Sequence, residues 1–234
     1  RVINEKYAAD IMFLINRANI RAGQLKTNAM DELRKEILET SGNASRELKE
    51  INVNSYASPE GPEAWNTELA QDREKNTVNY IEKQLKKDNI TEFGELTKHF
   101  TAEDWEGFKE LVSKSNIQDK DLILSVLSMY KDPEQREKEI RNLSNVFEVL
   151  AEEILPQLRY SRITASIDVI GKSDAEIQEL FKTNPKALSI DEILYCATLT
   201  DNDAERLKIY DTAARIYPND YRTWNNLGVV QYET

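Results

Sequence analysis

The chain has 234 residues, 40% hydrophobic and 31% charged, with a formal net charge of −11 at pH 7. That acidic balance argues against a non-specific grip on nucleic acid or anionic lipid, and no stretch is apolar enough to span a bilayer. One cysteine, Cys196, excludes an internal disulfide and a cysteine-based zinc site, and one histidine, His99, cannot build a metal cluster.

Residues 8–22 read as a first strand, with Ile11, Phe13 and Ile15 alternating against Met12 and Leu14. Apolar residues on both faces imply a central strand. Lys26–Thr40 reads as a helix with Met30, Leu33 and Ile37 on one face, closed by Gly42. A half-buried strand follows, in which Ile51, Val53 and Ser55 oppose Asn52 and Asn54. It runs into Ser58-Pro59-Glu60-Gly61-Pro62, where Pro59 lacks a ladder donor and Pro62 suits the first turn of a helix. Trp65, Leu69, Val78, Ile81 and Leu85 then recur at helical spacing, and Lys86-Lys87 close the helix. A strand–loop–helix junction of this kind presents free backbone N–H groups and favours anions.

Residues 95–100 make a weak third strand that carries His99, read as an exposed or satisfied histidine rather than a catalytic one. Thr101 is placed to cap a helix with Asp104 at the capping-box position, and Trp105, Phe108, Leu111 and Val112 form its stripe. Asp119 opens a second helix. Asp132-Pro133 opens a third that carries Ile140, Leu143, Phe147, Leu150 and Ile154 and stops at Pro156. Residues 158–170 alternate cleanly, with Ile163, Ala165, Ile167 and Val169 against Thr164, Ser166 and Asp168, and predict a closing strand. Beyond Gly171 the pattern is helical, over roughly 174–183, 189–199, 203–217 and 221 onward. Ser173-x-x-Glu176 and Ser189-x-x-Glu192 stand as capping boxes. A start at Arg1 and an end at Thr234 in mid-pattern are what a piece of a longer protein would show.

The stretch Ile51–Leu85 resembles the OmpA-like family, the C-terminal domain of outer-membrane protein A. The resemblance lies in Tyr56-Ala57-Ser58-Pro59-Glu60-Gly61 after a strand, then Asn66, Leu69, Arg73, Val78 and Tyr80. Gly61, Asn66, Leu69 and Arg73 keep the family's spacing, and Arg159 with Arg162-Ile163 is similar to the motif before its closing strand. The resemblance implies an α+β fold, a small mixed sheet in βαβαββ order with helices on one face. Residues 1–172 would be that domain, with 103–156 as a helical insertion. It also implies a Gram-negative envelope protein in the periplasm, associated with the outer membrane or with peptidoglycan. In the family an aspartate and an arginine grip diaminopimelate, the carboxylate taking the ammonium and the guanidinium the carboxylate. Arg73 stands at the arginine position and Ser58 at the aspartate position. A serine supplies no charge for an ammonium.

Two readings of the junction stay open on the sequence. Ser58, Glu60, Gly61, Asn66 and Arg73 form a peptidoglycan-binding site, or Arg73 is a structural ion pair with Glu60 or Glu63. Residues 173–234 resemble the start of a tetratricopeptide array. Trp224-x-x-Leu227-Gly228 looks like a repeat opening, and Ala213-Ala214, Tyr217 and Pro218 look like the close of the one before. Leu194 and Leu227 lie about one 34-residue repeat apart. Such helices imply a protein partner. No phosphate loop, metal spacing, nucleophile elbow or paired-carboxylate site stands out, so no cofactor and no catalysis is expected. Two functions follow: an envelope protein that associates with peptidoglycan or an envelope partner, or a protein-interaction scaffold whose OmpA-like domain has lost its ligand.

Overall fold

The computed structural model describes residues 1–233. The chain divides into two compact units, one of residues 3–169 and one of residues 1–2 with Ile170 onward. The first unit is α+β. Its strands are β1 (Val2–Met12), β2 (Arg46–Tyr56), β3 (Glu95–Thr101) and β4 (Tyr160–Ile170), and they form one mixed sheet in the order β1-β4-β2-β3. β2 pairs parallel with β3 and antiparallel with β4.

Alternation sorts the sheet into two faces. Ala9, Ile11, Leu48, Ile51, Val53, Ile163, Ala165 and Ile167 face inward. On them lie α1 (Asn28–Leu38), through Met30, Leu33 and Ile37, and α2 (Glu63–Lys87), through Val78, Ile81 and Leu85. The opposite face is polar. Asn4 donates to Ser166 Oγ and Asp168 Oδ1, Arg162 pairs with Asp10, and Asn54, Asn52, Thr97 and Glu50 run as a hydrogen-bonded row.

One turn is specified by a single glycine. The β2–β4 register slips between Leu48 and Glu50, and the bulged Lys49 carbonyl lies against Gly94. A Cβ there would sit 1.9 Å from Lys49 O, and φ is +64°, so only glycine fits.

Between β3 and β4 the chain builds a second small core from α3 (Trp105–Lys114), α4 (Lys120–Met129), α5 (Pro133–Asn142) and α6 (Ser144–Glu153), closed by a 3₁₀ turn at Leu155–Leu158. Phe108, Val112, Ile123, Leu150 and Leu155 are its best-buried residues. The second unit holds α7 (Asp174–Thr183), α8 (Ile190–Ala197), α9 (Asp203–Ile216) and α10 (Tyr221–Glu233) around Ile177, Leu188, Ile193, Cys196 and Ala213. Ser189 and Glu192 make a complete capping box, whereas Ser173 only accepts from the Glu176 N–H.

Several expected boundaries move. The first strand runs over Val2–Met12 rather than 8–22 and lies at the sheet edge, not its centre. Leu14 and Ile15 belong to an exposed turn in which Asn16 has positive φ, so the apolar run continues past the strand. The helix from Asp132 breaks at Leu143 into α5 and α6, because Leu143 leaves helical geometry, with ψ +63°. Asp104, not Thr101, caps α3, accepting from the Gly107 N–H at 2.9 Å. Asp119 opens α4 with positive φ and no side-chain cap. Thr234, the last residue of the expected repeat segment, lies outside the described residues.

The predicted stripe of α2 is also shifted. Trp65 is 71% exposed, and the buried line is Asn66, Ala70, Arg73, Thr77, Val78, Ile81 and Leu85. Urea unfolding of point variants tests this face. Ile81→Ala should cost about 2–4 kcal/mol, and Trp65→Ala no more than about 0.5 kcal/mol.

Candidate functional site

The β2–α2 junction is built by three constraints in sequence. Pro59 and Gly61 (φ +82°) end the strand and turn the chain. Pro62 starts α2, whose first turn carries Glu63. From there a helical period of about 3.6 brings Asn66 and Arg73 to the inward side of α2, beneath the end of the sheet.

Arg73 is completely buried. Its Nε donates to Arg17 O at 3.0 Å, Nη1 to Tyr56 O at 2.8 Å and Nη2 to Leu14 O at 3.2 Å. The guanidinium also lies 5.1 Å from the centroid of the Phe13 ring. Its neighbours are therefore backbone carbonyls and an aromatic face, with no carboxylate in ion-pair reach among the described residues. Burial, reinforced by the nearby Arg159 charge, lowers its pKa to about 10, so it stays charged at neutral pH. The expected ion pair of Arg73 with Glu60 or Glu63 does not form.

Glu60 turns instead to Arg159, whose Nη2 lies 2.9 Å from its Oε1. Ser58 is buried and donates to the same Oε1 at 3.0 Å, with Arg159 Nε 3.4 Å from its Oγ. So Ser58 does belong to a charged cluster, but as a hydroxyl bridging Glu60 and Arg159. Asn66 donates through Nδ2 to Glu60 O at 3.0 Å and to Glu103 Oε1 at 3.1 Å, fixing loop to helix. Gly61 keeps a free-facing N–H, and that N–H donates to Glu137 Oε1 at 2.7 Å. Glu137 comes from α5 and is itself held by Arg141 at 2.7 Å. The anion-favouring junction thus carries an anion supplied by the chain's own helices.

Below this cluster runs a chain of buried hydroxyls. Ser55 and Ser161 share a 2.6 Å hydrogen bond, and Thr77 Oγ1 lies 2.8 Å from Ser161 Oγ and 2.7 Å from Arg73 O. All three residues are fully buried. They carry the inward polar line from Arg73 into the sheet, each with a partner, as buried hydroxyls must.

The structure therefore brings Ser58, Glu60, Gly61 and Asn66 together, and it places Arg73 under them, facing the 14–17 turn. Three members of the cluster were not read as site residues: Arg159, Glu103 and Glu137. Arg159 was noted only in the motif before the closing strand, and its place at the entry to the clearest strand of the chain was a usable signal. Glu103 and Glu137 are distant in sequence and had none.

Among the described residues, no group of three or more His, Cys, Asp or Glu side chains could hold a metal ion, and no helix is long and apolar enough to cross a membrane. No family model matches the sequence, and no curated protein matches it.

Two measurements test this geometry. Arg73→Ala removes the guanidinium from three carbonyls, of which Leu14 O keeps the Arg17 N–H at 3.1 Å, and should lower stability by at least about 3 kcal/mol in urea. A loss below about 1 kcal/mol would contradict the buried role. Glu103 gives the pH test. Burial, with Glu63 and Glu137 nearby, raises its pKa above the ordinary carboxylate value, against the pull of the Trp105 and Asn66 donors. A raised folded pKa means that the folded state binds the proton more readily, so stability falls as pH rises through the interval above about 4.3. Relative to Glu103→Gln, the wild type should lose stability as pH rises from about 4.3, the ordinary glutamate value, through its raised folded pKa. Parallel pH profiles would refute the raised pKa.

Proposed function

We propose that this chain is a non-catalytic protein-interaction scaffold of the bacterial cell envelope. In this reading residues 3–169 are an OmpA-like domain that no longer holds peptidoglycan, and the helices after Ile170 are tetratricopeptide-like and carry the partner site. The resemblance of the Ile51–Leu85 stretch to the OmpA-like family supports the domain, and so do the βαβαβ order before the insertion and a final strand after it. Helices α8, α9 and α10 succeed one another as antiparallel neighbours would, with the small Ala213 and Ala214 buried where α9 meets its neighbours. The periplasm, with association to the outer membrane, is the compartment that this reading implies.

The observation that carries the proposal is Arg73. A diaminopimelate carboxylate needs an arginine with donors directed to solvent. Arg73 has no exposed surface and spends its donors on Arg17, Tyr56 and Leu14 carbonyls. Ser58 lacks the charge an ammonium needs, and the Gly61 N–H is taken by Glu137. Peptidoglycan association is the second reading. It is favoured by the Ser58–Glu60–Arg159 cluster, which keeps a carboxylate and a guanidinium 2.9 Å apart at the family's ligand position.

Co-sedimentation with purified diaminopimelate-type peptidoglycan separates the two. The scaffold reading expects the wild type to stay in the supernatant, as a charge-matched control protein does. If the wild type pellets, and Glu60→Gln with Arg159→Lys releases it, peptidoglycan association is restored and the scaffold reading falls.

A further inference from the structure

A second recess lies on the polar side of the sheet, at the end away from the bulge. It is a broad, open cleft of about 500 Å³ between the tyrosine pair Tyr56 and Tyr160 and one side of α3 along its length. That size is within the range of small-ligand sites. The two tyrosines are direct cross-strand neighbours on β2 and β4, next to the Ser55–Ser161 pair. Their rings stack with centroids 4.6 Å apart. Asp104 also lines the cleft and is only 7% exposed.

The state of Asp104 is unusual for a carboxylate. Among the described residues its side chain accepts one hydrogen bond, at Oδ1 from the Gly107 N–H at 2.9 Å, and no protein donor reaches Oδ2, which is open to solvent. The cations near the cleft are committed elsewhere or balanced. Arg162 pairs with both oxygens of Asp10, at 2.8 and 3.1 Å, while its guanidinium lies 5.3 Å from the Tyr160 ring centroid. Lys114 pairs with Glu110 at 2.6 Å. Glu106 and Lys109, of opposite charge, both stand on the exposed rim. Among the described residues no cation pairs directly with Asp104, and the Arg162 charge acts on it only through space; a largely buried carboxylate is costly unless a cation meets it. Burial accordingly raises the Asp104 pKa, with the Gly107 hydrogen bond opposing.

Gly107 makes room for this arrangement. A Cβ at 107 would lie 2.3 Å from Asp104 Oδ2. Glycine inside a helix costs about 1 kcal/mol against alanine, and here it leaves the carboxylate oxygen uncovered at the side of the cleft. Aromatic rings beside a carboxylate attract ammonium groups, the rings through their quadrupole and the carboxylate through its charge.

We propose that this cleft binds a primary ammonium group on a short apolar chain, with the ammonium on Asp104 Oδ2 and the chain against Tyr56 and Tyr160. The site is separate from the β2–α2 cluster and does not depend on the function proposed for it. A neutral alcohol of the same length would lose the charge-assisted bond, and a carboxylate would meet Asp104, Glu106 and Glu110 as like charges.

The test is an amide NMR titration of the full chain with n-butylammonium, beside butan-1-ol and butyrate. The expected result is a saturable shift at Gly107 and at neighbouring amides of α3 with butylammonium, and at least tenfold weaker effects with the other two. Asp104→Asn keeps the capping oxygen for the Gly107 N–H and removes the charge; it should weaken butylammonium binding at least tenfold. An independent readout needs no variant: saturating butylammonium should move the carboxyl titration of Asp104 in the wild type to lower pH. Equal shifts with amine and alcohol, no shift at Gly107, or an Asp104 titration that butylammonium leaves in place would each overturn the site.

Discussion

A fully buried guanidinium that meets no carboxylate sets the terms for the α+β unit. Arg73 joins three pieces of backbone: the end of β2 at Tyr56, and the 14–17 turn through Leu14 and Arg17. Asn76, nearly one turn further along α2, adds the carbonyl of Ala18 at 2.8 Å. The turn after β1 is therefore held by side chains of a helix that follows it by some fifty residues in the chain. Arg73 donates to each of these carbonyls, and Leu14 O accepts from the Arg17 N–H as well. Removing the guanidinium would strand its acceptors beside a buried void, which costs more than the bonds themselves contribute.

The same helix shows how a polar stripe can be the buried one. Asn66, Arg73 and Thr77 face inward at spacings that a hydrophobic face would use, and Trp65 faces out. The polar line works because each member is met. Asn66 reaches Glu60 O and Glu103, Arg73 the three carbonyls, and Thr77 the serine pair of the sheet. The cost is register specificity: a shift of α2 by one residue would break every one of these bonds, whereas an apolar face would tolerate some sliding. The insertion adds to this network by supplying Glu103, just before α3, and Glu137, from α5, and thereby docks on the loop through hydrogen bonds.

Much of the architecture was legible in the sequence, and the misses have physical causes. β3, the closing strand and the helices after Gly171 were legible because caps and period agree in those segments. The first strand was misplaced because Leu14 and Ile15 extend an apolar alternation into a turn, where only Asn16, with its tolerance of positive φ, marks the end. The break at Leu143 had no glycine or proline to announce it. The site was half legible. Asn66 and Gly61 were singled out as ligand residues by the resemblance to the OmpA-like family; in the structure their donors go to Glu60, Glu103 and Glu137 of the chain itself. The partner of Arg73 was not legible, because a carbonyl acceptor leaves no trace in the side-chain sequence. The partner of Glu60 was missed because Arg159 lies about a hundred residues away, and sequence spacing gives no measure of such a distance.

The two recesses of this unit differ in how their charges are resolved. At the β2–α2 junction every strong group is met from within: Gly61 N–H by Glu137, Glu60 by Arg159 and Ser58, Arg73 by carbonyls. An incoming ligand there would have to break a bond for each one it made, so its net gain is small even where its chemistry is well matched. At the tyrosine cleft Asp104 has the capping Gly107 N–H but no ion-pair partner among the described residues, because Arg162 and Lys114 are already paired. Recognition favours the second situation. A group that is desolvated by the fold but not neutralised by it has already lost part of its hydration, and the partner that completes it gains the interaction without displacing another.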